Sequence, residues 1–476
     1  MRKSASTYMR RPAIRKIRMK KNLHTKRNII LWRELIALCV ILAAQRVSGT
    51  LQTLTFAVLI LWALRGPKQT IQALSFSWLL AFLNPGIFPS SGSVTIYRWV
   101  LIFGGFARVV FEVLRRRPRV IKEILYFLPF AVGIAVLSVF YSYEPIISLF
   151  KLISFVVGGG TIILAFCVTA EETEYWKAWF TTFLLAIMII GFPFYYSELG
   201  YTRNERGFQG LLSHPQSYGL FLAPAIAWLA GRFLFEKERS VYVVGGITIG
   251  VLSLVATQSR TAAFALLLAL VLTLMMSMGH APGRRRTLIR TLKHPLAVSV
   301  FCFGMIFVIW KADLLSEQAL SFVKKGVDTE GFVSVYKASR GDLIERSMNN
   351  FYQYPLTGIG FGLPSSPQLL EVQKDKWVGL PLGATIEKGF LPSAILEEVG
   401  LIGSGFVMFL LFALVSPLMR RGTIPGVWLL MTCLTINLGE EVFFSMGGMG
   451  LYIWLLIGLT KVMSEKPGEA DNLLAR

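Results

Sequence analysis

The chain is poor in three things that soluble enzymes usually carry: cysteine, histidine and charge. Four cysteines and four histidines are spread over 476 residues, and Asp, Glu, Lys and Arg make up only 16% of the total. A soluble domain has about a quarter charged residues, so a soluble globular protein is excluded. Cys39, Cys167, Cys302 and Cys433 all fall in apolar runs and none pairs with another by spacing. They read as packing thiols, with no disulfide framework. A zinc site needs clustered His, Cys or carboxylates, and His24, His214, His280 and His294 are scattered. No metal and no cofactor is expected. Acid is scarcer than base, 27 residues against 49, for a net charge of +22.

What replaces charge is hydrocarbon: 54% of the residues are hydrophobic and 13% aromatic. Many apolar runs approach the ~20 residues that span a bilayer, and they do not alternate as barrel strands would. The expected fold is all-α, a polytopic transmembrane helix bundle of 12–14 spans with one long external loop containing short helices. Candidate spans are 29–44, 51–64, 71–83, 95–114, 124–140, 146–170, 176–196, 218–233, 241–256, 261–278, 296–310, 394–419, 427–442 and 447–462. The expected organisation is a basic tail (1–28), N-terminal spans (29–196), central spans with an external arginine loop (197–310), a long external loop (311–391), C-terminal spans (392–463) and a short tail (464–476).

A basic soluble protein would suggest nucleic acid, but here the base follows the positive-inside rule. Arg115, Arg116, Arg117 and Arg119, then Arg232, Lys237 and Arg239, then Arg284, Arg285 and Arg286, then Arg420 and Arg421 fall in alternate loops, while loops 84–94 and 141–145 hold no Lys or Arg. Both termini are then expected in the cytoplasm, and no nucleic-acid partner is expected. The first apolar run contains Arg33 and Glu34 and reads as an uncleaved first helix.

The other side should gather Arg206, Arg260, Arg340, Glu387, Lys388, Glu398, Glu440 and Glu441. Each arginine alone is equally well a snorkelling interfacial residue, and Glu440 or Glu441 a structural ion pair. Together, charges not needed for orientation suggest function, because holding them near lipid is unfavourable. Arginine forks bind phosphate through paired charge-assisted hydrogen bonds. Gly358-Ile359-Gly360-Phe361-Gly362 has no preceding strand and is not a nucleotide loop. Its glycines are expected in a tight turn that lets backbone approach a neighbouring helix or a ligand. The residues from Ser339 to Met348 read as a capped helix with one apolar side, ended by Pro355 and these glycines.

In four stretches the chain resembles the O-antigen ligase and polymerase superfamily: Arg206 through Gly219; Ser259-Arg260-Thr261-Ala262; Arg340 through Gly362; and Glu397-Glu398-Val399-Gly400-Leu401-Ile402-Gly403. Glu440 and Glu441, followed by Trp454-Leu455-Leu456-Ile457-Gly458-Leu459, also fit, and the likeness covers about residues 196–461. It implies an inverting, metal-independent glycosyltransferase of the bacterial inner membrane. Such an enzyme polymerises polyprenyl-diphosphate-linked glycan at the external face, with membrane lipids, a flippase and chain-length regulators as further partners. Arg206, Arg260 and Arg340, with Lys388 and His214, would bind the diphosphate or glycan. Ligases carry a His-(Asn/Ser/Gln) pair where this chain has Gly389-Phe390. That departure points to a capsule or exopolysaccharide polymerase or a diverged member. The base is then sought in Glu387 first, next Glu441, with Glu398 and His214 also open. Competing readings are a ligase moving finished glycan to a lipid or protein, a secondary transporter or flippase, and a purely structural assembly subunit.

Overall fold

In lipid every backbone N–H and C=O has to be satisfied within its own segment, and the apolar runs accordingly form helices. The computed structural model describes residues 32–33, 36–88, 94–203, 206–279, 282–292, 341–370, 372–374, 381–384 and 388–464. The helices are α1 (Ile36–Val47), α2 (Gly49–Ala63), α3 (Pro67–Ala81), α4 (Val94–Arg116), α5 (Phe127–Tyr141), α6 (Pro145–Val168), α7 (Thr173–Gly191) and α8 (Pro215–Phe235). Then follow α9 (Val241–Thr257), α10 (Arg260–Gly279), α11 (Pro282–Leu292), α12 (Asp342–Gln353), α13 (Leu391–Arg421), α14 (Ile424–Thr435) and α15 (Met449–Ser464).

Among the described residues five helices are long and apolar enough to cross a membrane, or six if residues 118–124 and α5, bent by 48°, make one span. Five further apolar helices are shorter. Of the expected 12–14 spans, five or six stand at full length among the described residues. Expected span 296–310 lies outside the described residues, α4 carries Arg98, Arg108 and Glu112 within its apolar run, and α14 ends at Thr435 rather than at 442. The expected long loop holds the helix α12. It also holds a two-stranded antiparallel hairpin, β1 (Val372–Lys374) with β2 (Pro381–Ala384), which the expectation of helices alone omitted. Helix α12 starts at Asp342, with Gly341 rather than Ser339 at its cap.

Helix packing divides the polar residues between two faces. On one, Lys68 pairs with Glu172, Arg117 with Glu171, Lys461 with Glu123 at 2.7 Å, and Arg284 donates to the Met419 carbonyl. Every basic cluster named above that falls in the described residues lies on this face. On the other, loops meet loops: Asn84 N donates to Leu211 O at 2.8 Å, Ser213 N to Phe82 O at 2.7 Å, and Tyr143 Oη to Pro364 O at 2.9 Å. The core between them is aromatic. Trp78 stacks on Tyr452 with centroids 4.5 Å apart, and Phe155 meets Trp454 edge-on at 5.3 Å.

The decisive departure from regularity is in α13. Gly400 has φ +61° and ψ −166°, which breaks the helix. In an unbroken helix Glu397 O would accept from Leu401 N, and Glu398 O from Ile402 N. Instead Ile359 N donates to Glu397 O (2.9 Å) and Gly360 N to Glu398 O (2.9 Å), while Leu401 N donates to Pro355 O (2.9 Å) and Ile402 N to Leu356 O (3.1 Å). A non-helical segment, 355–360, which starts in a turn closed by Gly358 N donating to Tyr354 O (3.0 Å), has been inserted into the helix. Its glycines follow from that: a Cβ on Gly358 would strike the Glu398 carbonyl group, and one on Gly400 the Leu356 carbonyl. This is the close backbone approach expected of the glycine run. Gly400→Ala should therefore destabilise by about 1–3 kcal/mol or more from its left-handed φ alone. Gly405→Ala, in regular helix where a Cβ meets open space, should instead stabilise slightly, by about 0.4–1 kcal/mol. Thermal unfolding of the purified protein in detergent distinguishes them, and equal transitions would contradict the inserted segment.

Candidate functional site

Below the inserted segment lies a buried charge cluster. Lys388, whose side chain is wholly enclosed, sits 3.1 Å from Glu397 Oε2 and 3.0 Å from Glu398 Oε1. Phe390 N donates to Lys388 O (2.9 Å), and Gly389 between them has φ +70°, a turn that aims Lys388 inward. Glu397 also accepts from Ser347 Oγ (2.7 Å) and Asn350 Nδ2 (2.6 Å), so the apolar-sided helix α12 is docked onto the cluster by its polar residues. Glu398 Oε2 accepts from Gly362 N at 2.6 Å. The carboxylates of one helix turn thus hold the cation, the loop helix and the glycine segment at once.

Glu441 completes the cluster. It stands in a non-helical turn just past α14, one residue beyond Glu440, and not in the closing turn of a span as the apolar run suggested. Asn437 builds that turn: its Oδ1 accepts from Val442 N (3.2 Å) and Phe443 N (2.9 Å), and its Nδ2 donates to Cys433 O (2.9 Å). Buried Trp454 fixes the far side by donating to Phe443 O at 2.9 Å. Glu441 as a residue is half-buried, yet its Oε2 is enclosed and has no hydrogen-bond partner. Burial, and next the Glu398 carboxylate, raise the Glu441 carboxyl well above the usual range, although Lys388 and Lys151 oppose this. Burial works against the Lys388 ammonium, but Glu398, Glu397 and Glu441 outweigh it and hold its pKa above the ordinary lysine value. Lys151, from α6, lies within electrostatic reach of Glu398 and Glu441.

Glu440 faces the other way, where its Oε1 accepts from Gln216 Nε2. This joins the turn to the arginine stretches. His214 caps α8, with Nδ1 accepting from Gln216 N at 3.1 Å, which leaves the ring proton to Nε2. Phe208 N donates to Ala256 O (2.9 Å), and Gln258 Nε2 to Arg206 O (3.4 Å). Gly439 packs on Thr261 and Gly219 on Ser259, contacts that leave no room for a Cβ. Arg206, exposed, and Arg260, half-buried at the start of α10, therefore belong to segments that converge beside Glu440.

Of the residues singled out from sequence, Arg206, Arg260, His214, Lys388, Glu398 and Glu441 lie on the loop face, in these two adjoining groups. Glu387 and Arg340 lie outside the described residues. Sequence reasoning passed over Glu397, Asn350, Ser347 and Asn437 as site residues. Only Glu397, in a Glu-Glu pair opening an apolar run, carried a visible signal. Lys151 was visible as a lone cation in an apolar helix. No group of three or more His, Cys, Asp or Glu among the described residues has metal-holding geometry. No protein-family model matches the chain, and no curated protein matches it significantly.

Native-state stability should respond with a definite sign. Because the folded Glu441 carboxyl binds its proton more tightly than the unfolded one, with pKa about 4.3, the wild type should lose stability as pH rises above that value toward the folded pKa. Glu441→Gln mimics the protonated form and should remove that slope, leaving a more stable protein at neutral pH. Lys388→Met strands two buried carboxylates and should destabilise by about 3–5 kcal/mol. Thermal unfolding across pH reads both, and a Glu441→Gln curve parallel to wild type would contradict the assignment.

Proposed function

We propose that the chain is an integral membrane glycosyltransferase that polymerises polyprenyl-diphosphate-linked oligosaccharide repeats into a surface polysaccharide. The observation that carries this reading is convergence. The stretches 206–219, 259–262, 354–362 and 397–403, far apart in sequence, meet on one face around Glu440 and Glu441. That face lies opposite the basic clusters. By the positive-inside rule it is external, with the bacterial inner membrane as the location and both termini in the cytoplasm.

In this reading Arg206, Arg260 and Arg340 hold the diphosphate in place of a metal ion. As the glycosidic C1–O bond breaks, its electron pair goes to the leaving diphosphate, and preorganised cations stabilise the growing charge most at that moment. The acceptor hydroxyl attacks C1 from the opposite face, so the anomeric configuration inverts. Its proton passes to a carboxylate. Glu441 is placed for that role because its Oε2 has no hydrogen-bond partner; burial and Glu398 favour its protonated form, so it accepts a proton strongly once ionised. Glu398 suits it less, since Lys388 and the Gly362 amide already occupy its oxygens. Glu387 remains the other carboxylate of choice. Gly389 stands with φ +70° where ligases carry histidine. This chain therefore lacks that imidazole, which favours a polymerase over ligation to a lipid or protein.

A second reading, a secondary transporter, draws support from the broken helix α13 and its buried ionisable cluster, a combination characteristic of ion and substrate sites in transporters. One experiment separates the two. Cells carrying Arg260→Ala or Arg340→Ala at normal expression should lose polymer and accumulate single repeats on the lipid carrier. Polymer of normal length in both variants would remove the diphosphate clamp. Normal glycan with altered solute uptake would establish the transporter.

A further inference from the structure

Among the described residues, Arg98 is a half-buried cation on the loop face that the mechanism leaves unused. Arg98 sits in the second turn of α4, close to that helix's N-terminus on the loop face. Its Nε and Nη2 are enclosed, and neither has a hydrogen-bond partner. The other two arginines of α4 that meet an acid are both satisfied: Arg108 pairs with Glu112 at 2.7 Å and donates to Leu64 O at 3.0 Å, and Arg116 pairs with Glu112 at 2.7 Å. Arg98 has no such acid among the described residues. It shares its helix face with Leu101 and Ile102, three and four residues on, both buried. The Nε–Nη2 edge is therefore turned toward the bundle, while the residue as a whole is half-buried.

An isolated buried guanidinium is strongly unfavourable unless it is paired. The two unpartnered nitrogens identify the missing partner. Nε and Nη2 share one edge of the guanidinium, and two parallel N–H donors on one edge form the fork that grips a tetrahedral or planar oxyanion bidentately. The N-terminal end of a 23-residue helix adds a field of the same sign. On the adjacent side of α4, Val100 and Phe103 are exposed, as lipid-facing residues of a membrane helix are. The anion in constant supply beside such a surface is the phosphate of a lipid headgroup.

We propose that Arg98 is the anchor of a phosphate site on the loop face, taking the phosphate of a lipid headgroup through its Nε–Nη2 edge. The site does not depend on the transferase reading, whose chemistry nowhere uses Arg98. The same chemistry would accept free phosphate, and the test separates the two sources.

The experiment is thermal unfolding of the delipidated full chain in neutral detergent, with phosphatidylglycerol, inorganic phosphate or chloride at matched ionic strength. Native mass spectrometry of retained lipid runs alongside. Wild type should gain about 2–4 °C or more with phosphatidylglycerol and retain one lipid. Arg98→Gln should start higher without lipid, because the unpaired charge is gone, and should gain nothing. Arg98→Lys keeps the charge without the fork and should gain less than wild type. Arg108→Gln, on the same helix, should be less stable but keep the full lipid-dependent gain. A gain with inorganic phosphate as large as with lipid would assign the site to free phosphate and overturn the headgroup source. Equal gains in wild type and Arg98→Gln, or none in either, would overturn the site itself. Should Arg98→Gln not fold, Arg98→Lys and the wild-type lipid retention decide the matter by themselves.

Discussion

The geometry of the loop face rests on one substitution of hydrogen bonds. Two helical bonds in α13 are given up at Gly400, and four bonds to the segment 355–360 take their place. The exchange is favourable only because backbone can lie directly on backbone, which is why Gly358 and Gly400 carry no side chain. It also sets the position of Glu397 and Glu398. They stand in the last helical turn above the break, so their carboxylates reach Lys388, Ser347, Asn350 and the Gly362 amide together. Tertiary structure in the long loop is in this way nailed to the long apolar helix α13 by buried charge.

Glu440 and Glu441 divide the labour of a single turn. One contacts Gln216 of the arginine side, the other the Lys388 cluster. The cluster is close to electrically balanced when Glu441 holds a proton: two lysines against Glu397 and Glu398. Moving that proton leaves an excess negative charge in an enclosed place. A group under that constraint is a natural point for proton transfer, whether coupled to glycosyl transfer or to transport.

The helical class and the two-faced distribution of charge were legible in the sequence, because hydrocarbon length and the placement of Lys and Arg are local properties. The role of the glycine run was legible too, as a close approach of backbone. Its partner was not: nothing local says that residues 355–360 insert into α13, since that pairing joins positions about 40 apart. The helix at Ile424 was expected to run on to 442, because Val442 and its neighbours are apolar. Asn437 ends the regular pattern by bonding the amides of Val442 and Phe443, and a single Asn in an apolar run gives little warning of that. Lys388 looked like a ligand for phosphate, since an exposed loop cation is one. Its burial between two carboxylates needed the fold.

The most direct measurement is the affinity of the purified full chain for a short-chain polyprenyl diphosphate, titrated by calorimetry against wild type and Arg260→Ala. The account expects saturable binding by wild type, weakened at least tenfold in the variant. No binding by wild type, or equal binding by both, would contradict the claim that this face is built to receive a diphosphate.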